Sequence, residues 1–453
     1  MKRKRGVDRV RAGAVAILAR WQRQHIHVEE LVERHDASPG GGGGSWSPAE
    51  RRRLRELVFS CVRLRARYDH IIESHSKRST KLAPEVRAVF WVALHELVEL
   101  DHPPHAVVDE AVRVVTGTGA GYARGFVNGL LRGVLRDGLR ASFPDPADAV
   151  AYAMTWHSHP QWLVRRWVEQ LGQEEAIALC AANNERPRLC LRTSPGARDA
   201  VVQLLTAMEW ESEEVTFLPD GLWMKTRVPP ALLLDQAGDR CTMQDAAAQL
   251  VAPLLAIDAP GLVLDLCAAP GGKASHLASL LPNSTVIAAD LARSRLGRLL
   301  PTLERLGLGD RVACVVADAR QAPFASGSFD AVLLDAPCTG TGVLSRRHDA
   351  RWNRKPEDVQ ELAGLQRVLL SQALDLVRPG GVVLYSTCSL EPEENDEVVD
   401  FVLAAREDVR EWPLDGCVRD EFLRRGRLAT WPHRDHVDGA FAARLRKLED
   451  QDR

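Results

Sequence analysis

The chain has 453 residues, of which 45% are hydrophobic and 26% charged, as is typical of globular proteins with two or three domains. Charges interrupt every apolar run before it reaches the roughly 18 residues that span a bilayer, so membrane, fibrous and wholly disordered classes are excluded. The net charge of −2 hides a division: residues 1–145 have 25 basic and 17 acidic residues, a net charge of +8, and the rest has −10. The basic first third favours a polyanionic partner over a merely solvated surface, since lysine and arginine neutralise phosphates.

The nine cysteines are an odd number scattered along the chain, and no secretory signal is recognised. We therefore expect reduced thiols and a cytoplasmic location instead of a disulfide framework. No cysteine pair or cysteine–histidine cluster has the spacing of a zinc site, and no metal is predicted.

The first third of the chain is predicted to be helical. Apolar residues recur at i, i+3, i+4 and i+7 within residues 86–97, and residues 10–32 are similarly amphipathic. Residues 37–48 include five consecutive glycines and predict a flexible loop. Ser47 and the proline after it then indicate a helix start. Seven arginines within residues 51–67 predict one strongly basic face on that helix.

The composition changes around residues 143–149, where a first domain boundary is predicted. Helical stretches follow up to about residue 235, together with three short strands: LCLRTS (189–194), VTFL (215–218) and GLWMK (221–225). Beyond them, five apolar runs alternate with helix-like segments: LVLDLC (262–267), TVIAAD (285–290), VACVVAD (312–318), AVLLDAP (331–337) and GVVLYSTC (381–388). This alternation predicts βαβ units and a parallel sheet that binds ligands at the carboxyl ends of its strands.

The segment DLCAAPGGK (265–273) ends the first of these five strands and enters a helix. Its paired glycines allow a ligand to approach the backbone closely, and the helix N-terminus offers free N–H groups. Three further strands end in Asp290, Asp318 and Asp335. A carboxylate at the second strand end can accept ribose hydroxyls, and one at the third can accept from an adenine amino group. The loop and the three aspartates together predict a cofactor that contains adenosine.

Cys338 and Cys388 follow two strand ends, in loops that favour exposure over inert packing. Beside a methyl donor, such a thiol indicates methylation of cytosine C5, because thiolate addition to C6 makes the unreactive C5 enamine-like. The thiol needs activation, since its ordinary pKa is about 8.5. Asp335 can hold the N3/N4 edge of the base, and a second thiol can help when the first is expelled. These residues alone do not decide which cysteine attacks.

Several segments resemble the successive motifs of RNA cytosine-C5 methyltransferases: DLCAAPGGK (265–273), DLARSRL (290–296), LLDAPCTGTGVL (333–344) and YSTCSLEPEEN (385–395). MQDAAAQL (243–250) resembles the element before that domain, and HRDHVDGAFAARLRK (433–447) its last motif. The helical region is similar to NusB-type RNA-binding domains at ELVFSCVRLRARYD (56–69) and GFVNGLLRGVLRD (125–137). SHPQWLVRRW (158–167) and AANNERPRLCLRTSP (181–195) match the intermediate segment. The combination resembles the ribosomal small-subunit methyltransferase B family over nearly the whole chain.

The resemblance implies a site for S-adenosylmethionine on the glycine loop. Asp290 is expected to bind its ribose, Asp318 to lie near its adenine, and Asp335 to contribute to the same site. The loop residues implied in binding are Cys267, Ala268, Ala269, Pro270, Gly271, Gly272 and Lys273.

The resemblance also implies that Cys388 is the nucleophile and that Cys338 assists product release. This order depends on the family likeness alone, because a Pro-Cys pair such as 337–338 supplies the nucleophile in DNA cytosine methyltransferases. Lys273 is expected to face the catalytic site beside Asp335, the alternative being a lysine on the helix surface.

The prediction is a three-part enzyme: an all-α NusB-like RNA-binding domain (1–145), a small α/β connector (146–235) and a Rossmann-like methyltransferase domain (236–453). It is expected to form 5-methylcytosine in 16S ribosomal RNA, at a cytosine of the position 967 type, and to act as a monomer. The alternatives are the same chemistry on transfer RNA, and a non-catalytic RNA-binding or antitermination factor with an inactive methyltransferase domain. The glycine run and Ala317 depart from the family pattern, both away from the expected catalytic residues.

Overall fold

The structure is a computed structural model that describes residues 7–24, 26–37, 46–76, 81–138, 143–257 and 261–449. The chain forms two compact units. Unit 1 consists of the described residues up to Glu185 and of Arg347–Arg354, and unit 2 consists of Arg186–Arg346 and the described residues from Lys355 onward. The five glycines at 40–44 lie outside the described residues. The domain boundaries at 145 and 235 stay predictions.

Unit 1 is helical, as predicted. Its helices in the described residues are α1 (Arg9–Gln24), α2 (Val28–Ala37), α3 (Pro48–Arg63), α4 (Arg65–His75), α5 (Pro84–Val98), α6 (Pro104–Gly117), α7 (Arg124–Asp137), α8 (Ala149–Thr155), α9 (Gln161–Leu171), α10 (Gln173–Ala182) and, from the inserted segment, α17 (Ala350–Asn353). Helix α3 begins where the sequence predicts, because the Ser47 hydroxyl accepts from the Glu50 amide and the Glu50 carboxylate accepts from the Ser47 amide. Trp21 and Trp91 are among the large side chains buried in the core of this unit.

The seven arginines of residues 51–67 do not form one basic face. The helix breaks at Leu64, so these arginines are divided between α3 and α4. Arg67 is buried and donates to the Glu99 carboxylate at 2.6 Å and to the Trp156 carbonyl at 2.7 Å. Arg53 is half-exposed and bridges two carboxylates of the same unit. The prediction of a single basic stripe is therefore wrong, because internal acidic partners draw several of the arginines inward.

Residues 347–354 lie between two methyltransferase-like motifs in the chain but pack within unit 1. Arg351 in α17 is 1% exposed and donates to the Asn183 carbonyl at 3.0 Å and to the Asn184 side chain at 2.8 Å. The indole N–H of Trp352 donates to a backbone carbonyl of α3 at 2.8 Å. This segment is thus held in the helical unit by hydrogen bonds from buried or half-buried side chains.

A small antiparallel sheet opens unit 2, with the strand order β2-β3-β1-β4. Its elements are β1 (Cys190–Thr193), α11 (Arg198–Ala207), β2 (Ser212–Glu214), β3 (Gly221–Met224), α12 (Pro230–Ala237) and β4 (Cys241–Met243). The strand predicted at residues 215–218 is wrong: these residues turn the chain into β3, and the Leu218 amide donates to the Val215 carbonyl at 2.9 Å. Val215 and Leu218 are apolar because they pack in the core of the unit against Gly221, where a Cβ atom would lie within 3 Å of both.

The large sheet of unit 2 supplies the Rossmann-like core. Its elements are α13 (Ala246–Val251), β5 (Leu262–Asp265), α14 (Gly272–Leu280), β6 (Thr285–Asp290), α15 (Arg293–Leu296), α16 (Leu299–Arg305), β7 (Val312–Val316), β8 (Phe329–Asp335), α18 (Pro356–Leu376), β9 (Val377–Thr387), α19 (Asp396–Ala405), β10 (Val409–Glu411), β11 (Leu423–Arg424), β12 (Arg427–Thr430), α20 (Pro432–Asp435) and β13 (Ala440–Lys447). Five strands are parallel, in the order β9-β8-β5-β6-β7. Successive residues face opposite sides, so Val263 and Leu333 pack in one core cluster while Leu264 and Leu334 pack in the other.

The sheet is mixed, and its antiparallel part is not predicted by the βαβ pattern. Strand β13 pairs antiparallel with β9, so that Phe441 lies opposite Thr387, and β12 and β10 pair with β13. These strands extend the sheet beyond β9 and bring the last motif beside the Cys388 strand. None of the described helices is long and apolar enough to cross a membrane.

Candidate active site

The glycine loop joins β5 to α14 at the carboxyl edge of the parallel strands. Gly271 has a φ of +108°, in the left-handed region that disfavours side chains. A Cβ atom at this position would lie 2.1 Å from a methyl group of Leu299. The loop is also tied to the next strand, because the Ala269 amide donates to the Asp290 carboxylate at 3.1 Å. Only glycine fits position 271 without moving the loop.

Arg192 supports this loop from the connector sheet. Its guanidinium donates to the Gly272 carbonyl at 2.8 Å, to the Ser275 hydroxyl at 3.1 Å and to the Gln244 side chain at 2.5 Å. Arg192 is 3% exposed, and burial lowers its pKa to about 9. Arg192 is not among the site residues predicted from the sequence, although an arginine inside an otherwise apolar strand is a signal that could have indicated it.

Asp265 is a second residue that the sequence analysis did not single out. It ends β5, is fully buried, and neither carboxylate oxygen has a hydrogen-bond partner among the described residues, although the Cys267 amide approaches it. Burial, followed by the negative charge of Asp335, raises the pKa of Asp265 to about 8. A buried carboxyl group with unused acceptors beside the glycine loop fits a cationic ligand group. The negative charge of an ionised Asp265 is complementary to the positive charges of the amino and sulfonium groups of S-adenosylmethionine.

Asp290 ends β6 and Asp318 lies two residues beyond the neighbouring strand β7, and the two have different surroundings. Asp290 is 3% exposed and accepts from the Ala292 amide at 2.9 Å and from Arg295 at 2.8 Å. Asp318 lies near the surface, where its hydrogen bonds with Arg320 lower its pKa to about 2. Leu291 and Val316, which adjoin these strand ends, are exposed by 63% and 53%, respectively. Exposed apolar side chains between two carboxylates are suited to the face of an adenine ring.

Lys273 and Asp335 form an ion pair across the site. The Lys273 Nζ atom is 2.6 Å from Asp335 Oδ2, and the Ser386 hydroxyl donates to Asp335 Oδ1 at 2.8 Å. Burial would lower the pKa of Lys273, but the charge and hydrogen bond of Asp335 raise it above the ordinary lysine value. The ammonium group also interacts electrostatically with Cys388. Lys273 therefore remains a cation next to a cysteine sulfur.

The two cysteines lie together at the ends of adjacent strands. Asp335 pairs with Ser386 in the parallel register of β8 and β9, and the following loops bring the Cys338 and Cys388 sulfur atoms to 3.4 Å. The contact with Cys388, together with burial, raises the pKa of Cys338 well above its ordinary value. A raised pKa favours the neutral thiol form of Cys338, which can donate a hydrogen bond to the Cys388 sulfur.

A buried glutamate joins the two cysteine loops. Glu394 is fully buried and accepts from the Thr339 amide at 2.8 Å, from the Thr339 and Ser389 hydroxyls, and from the Gln366 side chain at 3.0 Å. The Tyr385 hydroxyl donates to its carbonyl at 2.5 Å. Thr339 follows Cys338 and Ser389 follows Cys388, so one carboxylate fixes both residues that adjoin the thiols. Glu394 lies within the motif YSTCSLEPEEN, but the spacing of that motif does not predict its hydrogen-bond partners.

Arg346 connects the segment after Cys338 to two other motif regions of unit 2. Its guanidinium lies 2.5 Å from Asp245, in the element before the domain, and 2.5 Å from Asp438, in the last motif. Burial and the nearby charge of Asp245 raise the pKa of Asp438 to about 6. Among the described residues, no cluster of three or more histidine, cysteine or acidic side chains could hold a metal ion.

This fold and site define a Rossmann-like methyltransferase, and comparisons with known proteins agree. The family model for 16S rRNA methyltransferase RsmB/F matches residues 252–446, the NusB family model matches 8–136, and an RsmF/B-like ferredoxin-like domain matches 159–230. The chain belongs to the RsmB/F family of S-adenosylmethionine-dependent rRNA methyltransferases, which confirms the predicted family, the NusB-like helical region and the α/β connector.

Two relatives and one solved structure illustrate the likeness. A probable ribosomal RNA small subunit methyltransferase B of Bacillus subtilis is 33% identical over 87% of this chain and 90% of its own. A ribosomal RNA small subunit methyltransferase B of Pseudomonas syringae pv. tomato is 34% identical over 88% of this chain and 90% of its own. The crystal structure of a methyltransferase homolog protein from Pyrococcus horikoshii is 27% identical, with a TM-score of 0.56, and the match covers 67% of this chain and all of that one.

The variant Gly271→Ala is expected to weaken S-adenosylmethionine binding at least tenfold, since an added Cβ forces the loop away from Leu299. Isothermal titration calorimetry measures this change. Gly309→Ala is the control, because no atom lies within 4 Å of its added Cβ and it should bind like the parent protein. Equal affinities for the parent and Gly271→Ala would contradict the proposed role of the loop.

Binding of S-adenosylmethionine should also depend on pH through Asp265. Its raised pKa, about 8, keeps the carboxyl neutral below that pH, and a cationic ligand favours the ionised form, so affinity should rise with pH. Between pH 7 and pH 8 the ionised fraction increases about fivefold, which sets the expected upper limit. Asp265→Asn should lose this rise. The ligand's own amino group titrates equally with both proteins, so it cannot account for a difference between their pH profiles. Identical pH profiles would show that Asp265 does not face the ligand.

Proposed function

We propose that the enzyme forms 5-methylcytosine in 16S ribosomal RNA through a covalent adduct between Cys388 and C6 of the base. The observation that supports this most directly is the group formed by the two cysteines, 3.4 Å apart, and the Lys273–Asp335 ion pair at the same sheet edge. A lone cysteine near a methyl donor is not distinctive. Two thiols in contact, with a cation and a carboxylate beside them, match the requirements of attack, base binding and release.

S-adenosylmethionine supplies an electrophilic methyl group when bound. We propose that residues Cys267 to Lys273 hold it, with Asp290 on the ribose and Asp318 near the adenine. The support is the buried Asp265 carboxyl group, for which the described residues provide no side-chain hydrogen-bond partner, and the exposed apolar residues Leu291 and Val316.

Each proposed catalytic residue has one task. The Cys388 thiolate adds to C6, and the nearby Lys273 ammonium stabilises the negative sulfur before the addition. Asp335 accepts a hydrogen bond from the N4 amino group and so orients that edge of the cytosine, while the Lys273 ammonium paired with it opposes the negative charge that develops on the ring as C5 becomes nucleophilic. After the methyl group is on C5, the C5 proton passes to solvent water, the C5–H electron pair re-forms the C5–C6 double bond, and the C6–sulfur bond breaks to release the Cys388 thiolate. Cys338, held as a thiol, then donates a hydrogen bond to the departing Cys388 thiolate.

The base must leave its stack to reach these residues, because neither face of C5 or C6 is accessible within a helix. We propose a ribosomal RNA substrate because the relatives' names specify the small-subunit ribosomal RNA. Transfer RNA and a non-catalytic role are the alternatives. Both thiols and Asp290, Asp318 and Asp335 are present, which favours an active enzyme. Since ribosomal RNA is made in the bacterial cytoplasm, we expect the protein to act there, as a monomer with its own RNA-binding unit.

Cys388→Ala should abolish methyl transfer, with a loss on the order of a thousandfold or more, because the pathway through the covalent adduct is closed. Bisulfite sequencing of ribosomal and transfer RNA, in cells that lack the gene and produce either the parent protein or the variant, measures the loss and identifies the cytosine. Cys417→Ala, at an exposed thiol, is the control and should restore the mark. A mark restored by Cys388→Ala would reject the assignment of the nucleophile, and no change in any RNA would favour the inactive alternative.

Cys338→Ala should instead accumulate a covalent protein–RNA adduct, because addition still occurs while release is slowed. The adduct is measured as a slowly migrating band on a denaturing gel after incubation with RNA and S-adenosylmethionine. The double variant Cys338→Ala/Cys388→Ala should show no band. Absence of a band from the single variant under turnover conditions would exclude Cys338 from the release step.

A further inference from the structure

Unit 1 contains a cavity of about 230 Å³ that the catalytic site does not use. Its walls come from α1, α4 and α5, and it is lined by Trp21, Gln22, Arg65, Asp69, Arg87 and Trp91. Indole rings and guanidinium groups thus dominate a concave site within the unit that matches the NusB family.

Arg65 is a cation without a paired anion in this cavity. Its guanidinium carbon lies 4.2 Å from the centre of the Trp352 ring and 5.5 Å from that of Trp21, and it forms no hydrogen bond or ion pair with any described residue. Burial lowers the pKa of Arg65, and the charge of Asp69 only partly opposes this shift. Stacking between two indoles orients the guanidinium but leaves its five N–H donors unused.

The Trp21 indole offers a further donor. Trp21 is 2% exposed, yet its Nε1 atom has no hydrogen-bond partner among the described residues. Buried N–H groups are almost always paired, and leaving one unpaired is destabilising. Trp21 and Arg65 both line this cavity, and an indole N–H and a guanidinium without hydrogen-bond partners among the described residues favour the same kind of ligand, an anion with several oxygen acceptors.

Asp69 does not neutralise the cavity. Its carboxylate accepts hydrogen bonds from the Trp91 indole at 2.8 Å and from Arg87 at 3.4 Å. Both of its oxygen atoms are therefore already hydrogen-bonded to other residues that line the cavity. Of the six residues that line the cavity, two are arginines and one is an aspartate. Gln22 uses its amide N–H group on two backbone carbonyls of the unit.

We propose that this cavity binds a phosphodiester group of the RNA substrate through the Arg65 guanidinium and the Trp21 indole N–H. The choice of RNA rests on the proposed function, and the net charge of +8 over residues 1–145 supports a polyanion over a small metabolite. A phosphate contact anchors RNA without reading its sequence, so the cavity would contribute affinity and register.

The test measures binding of the full-length protein to 16S ribosomal RNA transcribed in vitro, without S-adenosylmethionine, over a series of salt concentrations. Arg65→Gln should lower the affinity about tenfold and reduce the slope of log K against log salt by about 1, as expected for one lost phosphate contact. Trp21→Phe keeps the ring and removes only the N–H, and it should lower the affinity about threefold. Arg20→Gln, the same charge change on the exposed face of α1, should have a smaller effect than Arg65→Gln.

Each other outcome overturns the proposal in a distinct way. Unchanged affinity and slope in Arg65→Gln and Trp21→Phe would exclude the cavity from RNA binding. A loss of affinity with an unchanged slope would assign the cavity to a base instead of a phosphate. If inorganic phosphate raises the melting temperature of the parent but not of Arg65→Gln, while RNA binding is equal, the ligand is a small anion. Because these measurements require no methyl transfer, a failure of the proposed reaction leaves them unaffected.

Discussion

The parallel pairing of β8 with β5 and β9 is the constraint on which the candidate active site depends. Parallel strands end at one sheet edge, so side chains separated by many residues in the chain meet there. The register that places Asp335 opposite Ser386 also brings the Cys338 and Cys388 sulfur atoms into contact. A shift of that register by one residue would turn Asp335 to the other face and remove its ion pair with Lys273. The proposed catalytic arrangement therefore depends on strand register as well as on the motifs.

Burial and nearby charges give residues of the same type different pKa values in this site. Aspartates end several parallel strands, yet burial raises the pKa of Asp265 to about 8 while hydrogen bonds with Arg320 lower that of Asp318 to about 2. The two half-buried cysteines share one contact, which raises the pKa of Cys338, and the Lys273 ammonium interacts electrostatically with Cys388. Residue type alone assigns neither a charge state nor a role, because each depends on burial and on the nearest partner.

The basic first third behaves differently from a simple positive surface. Its excess charge is real, but Arg67 is buried in ion pairs and Arg65 is enclosed between two indoles. Trp352, one of these indoles, lies 14 residues after Cys338 in the chain, within the segment that packs in unit 1. Residues 347–354 are thus both a continuation of the catalytic motif region and a structural part of the helical unit.

The helical first third, the five parallel strands, the glycine loop and the order of the methyltransferase motifs are all predictable from the sequence. Each depends on local periodicity or on a short motif, in which the residues that matter are neighbours in the chain. The antiparallel addition of β13, the turn at residues 215–218, and the contacts of Arg192, Asp265 and Glu394 become visible only in the folded chain. Their partners lie far away in the chain, and whether a buried polar group is paired depends on packing that no local pattern encodes.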